Sequence, residues 1–221
     1  MPREQFHLGL QQVQQHLLDL GAMVDRQIDR AMQSLADRDI PLADAVIRDD
    51  GEVNRARFHL DNICVSLLAQ QAPMASDLRL IVAVLAMASD LERMGDHAEG
   101  IARIVLMMAD TPLVMPVADI AEMATHARRM LADALDALVQ RDVDAAYAVG
   151  TADDAVDALY HHVYMDLIGI MTHDQSTIEG CTHLLWIAHN LERIADRTTN
   201  IAERVVYTVT GMLPQMDVSR Y

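Results

Sequence analysis

Residues 90–102 of the 221-residue chain read DLERMGDHAEGIA, and residues 190–202 read NLERIADRTTNIA. Two carboxylates four positions apart recur between them: Glu92 with Asp96, and Glu192 with Asp196. Residues at i and i+4 share one helix face. Like charges placed so repel by a few tenths of a kcal/mol unless something neutralises them, and a bound cation does so. Solvent also selects acids on helix faces, so a single pair argues for nothing. The case for chemistry is that acid type and position survive a duplication in which neighbours drifted, as His97 against Arg197 and Glu99 against Thr199.

At 100° per residue, Leu91, Met94, Ala98, Ile101 and Val105 form an apolar stripe, and Glu92, Asp96 and Glu99 fall about 80–140° from Leu91. In the second copy Leu191, Ile194, Thr198, Ile201 and Val205 make the stripe. Glu192 and Asp196 lie roughly opposite, with Asn200 and Glu203 in the same sector. A matching set stands upstream. Asp50 and Asn54 are spaced i, i+4, and so are Asp153 and Asp157, 103 positions later. Adjacent packed helices lie about 8–10 Å apart, so carboxylates projecting into a shared groove could clasp cations between them. Oxygen-only donor sets suit Mg²⁺, Ca²⁺, Mn²⁺ and iron better than a thiolate zinc site.

These residues need helices to position them. Phe6, Leu10, Val13, Leu17, Leu20, Val24, Ile28, Ala31 and Leu35 step by 3 and 4, the mark of an amphipathic helix. It should stop near Arg38-Asp39-Ile40-Pro41, where Asp39 can cap a second helix that tolerates Pro41 in its first turn. That helix is expected to reach about Gln70 and break at Gln71-Ala72-Pro73. A third runs from near Ala75, with Ser76 or Asp77 near its cap, to about Met108, before Asp110-Thr111-Pro112 and Pro116. The plan then repeats. A helix spans Val117 to Gln140, and Arg141-Asp142-Val143 echoes Arg38-Asp39-Ile40. The next helix reaches about Thr172 with Gly150 as a weak point, and the last runs from about Thr177 to Thr210. The expected fold is all-α: two tandem three-helix bundles related by an internal repeat, residues 1–112 and 113–221, six long helices in all.

Composition narrows the function. The net charge of −16 disfavours phosphate-backbone binding to nucleic acid and repels an anionic membrane surface; cations and basic partners are its complements. The longest apolar run, Leu80 to Ala88, is far below the roughly 20 residues of a membrane span. Cys64 and Cys181 form no C-x-x-C and read as buried small hydrophobes; a soluble cytoplasmic protein is expected. The adjacent pair His161-His162 reads as surface or packing. The sequence has no HExxH, Walker A or G-x-S-x-G motif, and its one Glu-x-x-His, at Glu4, does not supply a ferritin-like di-iron set.

The chain resembles the PhoU family, the phosphate transport system accessory and regulatory proteins. The resemblance is carried by QQAPMASDLRLI (Gln70 to Ile81), DLERMGDHAEGIA, NLERIADRTTNIAE and the D-x-x-V-[ND] sequences at Asp50 and Asp153. It implies two three-helix bundles with metal ions on E(D)-x-x-x-D carboxylates, the metal being iron, manganese, magnesium or zinc. It also implies a cytoplasmic negative regulator of the phosphate-starvation response, linking the ATPase subunit of a phosphate ABC transporter to a phosphate-sensing histidine kinase, and self-associating as a homodimer. On this reading the ligands are Asp50, Asn54, Glu92, Asp96 and Glu99 in the first repeat, and Asp153, Asp157, Glu192, Asp196, Asn200 and Glu203 in the second. The first copy departs from the family pattern, with Gly100 and Arg103 where the second has Asn200 and Glu203. A Glu99–Arg103 salt bridge and a weaker first site are expected. The competing functions are a metal-dependent hydrolase, for which no nucleophile or partnered base is visible, and a metal-free acidic helical scaffold.

Overall fold

A computed structural model describes residues 2–109 and 117–216. The expected breaks at Asp110-Thr111-Pro112 and Pro116, and the 112/113 domain boundary, lie outside the described residues. Six long helices appear: α1 (Pro2–Asp37), α2 (Ile40–Gln71), α3 (Ala75–Met107), α4 (Val117–Gln140), α5 (Val143–His173) and α6 (Ile178–Thr210). A 3-10 turn at Gln175–Thr177 joins the last two. Among the described residues there is no strand.

The two repeats reverse direction by one device. Arg38 and Arg141 both take left-handed backbone, with φ of 53° and 57°. The next N–H then reaches back five residues: Asp39 to the Ser34 carbonyl and Asp142 to the Ala137 carbonyl, both at 3.0 Å. Each Asp goes on to cap the following helix, accepting from Leu42 N–H at 2.9 Å and Ala145 N–H at 3.0 Å. The α3 start departs from expectation: Met74 is the cap residue, with no side-chain hydrogen bond, and Asp77 sits in the first turn. Gly150 does not interrupt α5. It lies inside the helix with the Met216 side chain packed on it, where an added Cβ would stand 3.1 Å from Met216 Cβ.

All nine apolar positions read from α1 are buried. The packing places α1, α3, α6 and α4 in a four-membered ring, each touching the next. Helix α2 lies in the outer groove of α1 and α3, and α5 in that of α4 and α6. The ring joins the bundles antiparallel about a pseudo-twofold axis. On one side Arg128 of α4 clasps Asp25 of α1 at 2.7 and 3.0 Å and also pairs with Asp29. On the other side α3 meets α6 through equivalent positions. Asp90 accepts from Arg197 at 3.3 Å and Asn200 at 3.4 Å, while Asn190 meets the His97 ring at 2.9 Å. Gly100 is the equivalent of Asn200, and a Cβ there would stand 3.2 Å from Asn190 Oδ1. The Gly100/Asn200 difference is thus accommodated at the seam between bundles.

Candidate cation-binding site

Helix α3 touches α1, α2 and α6, and α6 touches α3, α4 and α5. Only a narrow arc of each meets water, and this changes the expected setting of the acids. Asp96 is exposed, but Glu92, Glu99, Glu192 and Asp196 are not on an open outer face. Side-chain exposure is 19% for Glu99, 12% for Glu192 and 18% for Asp196. The carboxylates line half-open grooves, α2 against α3 in the first bundle and α5 against α6 in the second.

In the first groove Asp50 stands on α2 against Gly95, Asp96 and Glu99 of α3. The close approach needs Gly95: a Cβ there would lie 3.2 Å from Val53 Cγ1 and 3.5 Å from Asp50 Oδ1. Asp50 accepts from Asn54 Nδ2 at 2.9 Å on one oxygen and from Gln27 Nε2 at 3.0 Å on the other. Gln27, on α1, is 5% exposed, and its own carbonyl oxygen is buried with no hydrogen-bond partner. Glu99 pairs with Arg103 at 2.5 Å, as expected from their spacing. Glu92 is half-buried, and no ion pair joins Arg93 to Glu92 or Asp96 among the described residues. Partial burial first, then the charges of Glu92, Asp50 and Glu99, push the Asp96 carboxyl up to about 6, with Arg93 opposing. Four acids crowd one groove with more negative charge than nearby cations relieve.

In the second groove the chain supplies its own cation. Arg193 donates to both oxygens of Glu192 at 2.6 Å and reaches Asp196 at 3.0 Å. Helix α5 runs past α6 with the Tyr160 ring 6.2 Å from that of His189, and Glu192 helps burial raise the Tyr160 pKa. That antiparallel register carries half-buried Asp157 and buried Asp153 toward the levels of Glu192 and Asp196. Two residues assigned to this site turn elsewhere. Asn200 donates to Asp90 across the seam, and Glu203 accepts the Met216 N–H at 2.7 Å. His97, beside Asp96, likewise turns to Asn190, and burial lowers its pKa.

The oxygens of these acids do not converge as drawn. Among the described residues, the trio of ligand-type side chains whose donor atoms lie within 4.8 Å of one another is Asp119, His162 and Asp166, largely exposed. A cation in either groove would have to draw its carboxylates inward. The donor chemistry fits such an ion better in the first groove, where a buried carbonyl oxygen is without a partner and a glycine leaves room, than in the second, where a guanidinium fills the role. Sequence reading missed Gln27, although its spacing from Val24 and Ala31 puts it at the rim of an apolar stripe. It also missed that Arg193 bridges the acids on either side of it.

The PhoU-domain family model matches residues 17–105 and again 120–205. The chain belongs to the PhoU family. Each three-helix bundle is one PhoU domain, so the tandem arrangement is the family's own. A phosphate-specific transport system accessory protein PhoU homolog of Clostridium acetobutylicum is 36% identical over 212 residues, covering 96% of this chain and 97% of that protein. Its Streptococcus pneumoniae counterpart is 35% identical over 97% of this chain and 100% of its own length. The crystal structure of the phosphate transport system regulatory protein PhoU from S. pneumoniae superposes with a TM-score of 0.89 at 35% identity, covering 95% of this chain and 99% of that one. PhoU from Pseudomonas aeruginosa gives 0.90 at 34%, covering 94% and 100%.

Proposed function

We propose that this PhoU-family chain is an accessory and regulatory protein of a phosphate transport system, not an enzyme, and that cations held by its groove carboxylates form part of its working surface. The observation that carries the cation reading is the first groove, where the charges of Asp50, Glu92 and Glu99 act on Asp96 across α2 and α3, and where Asp50 is held by Gln27, whose own carbonyl is unpartnered. The ion would be iron, manganese, magnesium or zinc. When bound, such an ion supplies positive charge to an acidic surface and can bridge it to an anionic partner. Asp50 and Asp96 would hold it from opposite helices, with Glu92 and Glu99 flanking.

The relatives' names support the accessory role: they are called accessory and regulatory proteins of phosphate transport. In the finer reading the chain is cytoplasmic and homodimeric. It restrains the phosphate-starvation response by linking the transporter's ATPase subunit to a phosphate-sensing histidine kinase. No helix among the described residues is long and apolar enough to cross a membrane, so contact with the transport machinery would be made from outside the bilayer. Deletion of the gene, followed by alkaline phosphatase assay in phosphate-rich medium, tests the regulatory role. Derepression is expected, and unchanged repression would contradict it. The second bundle also supports a metal-free reading, because Arg193 already neutralises Glu192 and Asp196. Metal analysis of each half-site separates the two.

A further inference from the structure

The two repeats bury different side chains behind their grooves. At the offset of 103 that relates Asp39 to Asp142 and Asp50 to Asp153, Gln27 becomes Met130, 5% and 2% exposed respectively. At the offset of 100 that relates Glu92 to Glu192, Gly95 becomes Ala195, both buried. These differences fall together in space. Gln27 Oε1 would lie 3.0 Å from a Cβ on Gly95, and Asp50 Oδ1 3.5 Å from it. The first groove therefore has a recess lined by two oxygens and the Val53 methyl, 3.2 Å from that Cβ, whereas the twin repeat carries Met130 and Ala195 at the equivalent positions.

The amide orientation is fixed by its neighbour. Turned the other way, Gln27 would set its carbonyl against the Asp50 carboxylate; as placed, its N–H holds Asp50 at 3.0 Å. That leaves the carbonyl oxygen buried without a hydrogen-bond partner, an unfavourable arrangement that an oxygen-seeking cation would relieve. We propose that Gln27 is a positioning residue contributed by α1: it fixes Asp50 for cation binding and, with the Gly95 recess, makes the first groove the tighter cation site of the two. The second groove lacks the amide and the recess, and Arg193 competes there for the same carboxylates. This reverses the order expected from Gly100 and Arg103 alone. It rests on the cation reading proposed above.

The test uses the full-length, metal-stripped chain titrated with Mn²⁺, free ion being read by electron paramagnetic resonance. The E192Q/D196N background isolates the first groove and E92Q/D96N the second. The first groove should bind more tightly. Gln27→Met, which installs the residue of the twin repeat, should weaken it about 10- to 100-fold, the usual effect of losing a residue that orients a metal ligand. Gly95→Ala should weaken it as well, because its Cβ crowds Gln27 and Val53; an unchanged helical content and a cooperative metal-free melt separate that result from loss of fold. The Mn²⁺-induced rise in Tm should shrink in both variants, whichever way the metal-free Tm moves. If the first groove binds Mn²⁺ and neither variant changes its affinity, or if the second groove binds more tightly, the inference is overturned while the cation reading stands. Absence of binding to the unmodified chain would overturn both.

Discussion

At the scale of single residues, charge in the grooves is handled in two ways. Arg193 sits between Glu192 and Asp196, so Arg193→Gln should lower metal-free stability. The loss should be only about 1 kcal/mol, because the guanidinium is partly solvated. The same change should enlarge the Tm rise on adding Mn²⁺, since a competitor of the ion is gone. Thermal melts with and without the ion check both. Cys64 offers a cleaner case. Burial, with Asp61 nearby, pushes its thiol up to about 12. Its folded pKa exceeds the unfolded value, so stability is fully present below the unfolded pKa and falls as pH rises through it. Near pH 8 a thiol reagent should leave Cys64 unlabelled in the native chain and label it in denaturant; rapid native labelling would contradict the packing.

At the scale of elements, the shared helix reversal makes a differential prediction. Arg38 and Arg141 both sit in left-handed backbone that favours glycine. Arg141→Gly should stabilise by about 0.5–1 kcal/mol, measured by urea unfolding. Arg38→Gly should not, because Arg38 donates to the Met108 and Ala109 carbonyls at the end of α3. The reversals show why the elements could be read from sequence. Asp39 and Asp142 are local caps, and the 3- and 4-residue steps of α1 report burial directly. The Met74 cap was not legible, because no side-chain bond marks it. The grooves were half legible. Helical spacing put Glu92 with Asp96, but a single-helix wheel cannot know that α3 and α6 each have three neighbours, and so it turned the groove acids toward open water, where only Asp96 is exposed. Asn200 and Glu203 lay in the acid sector on that wheel, yet their partners come from Asp90 and from the backbone of Met216, distant in sequence.

At the scale of the whole molecule, a net charge of −16 is spread over a ring of four helices closed by the Arg128 clasp and the α3–α6 seam. Self-repulsion of that size destabilises the compact state, and salt screens it. Raising NaCl from about 10 mM, where the screening length is about 30 Å, to about 0.15 M, where it is about 8 Å, should raise the Tm. A millimolar divalent ion should raise it further than the added ionic strength explains. The core beneath the seam resists substitution: Leu91, fully buried on α3, should cost about 2–5 kcal/mol when cut to alanine. The most direct test of the cation reading is the metal content of chain purified without chelators and dialysed, measured by elemental analysis beside a four-site E92Q/D96N/E192Q/D196N variant. Retained iron, manganese, magnesium or zinc is expected in the unmodified chain, and its loss from the variant. Equal metal in both, or none in either after incubation with each ion, would contradict it.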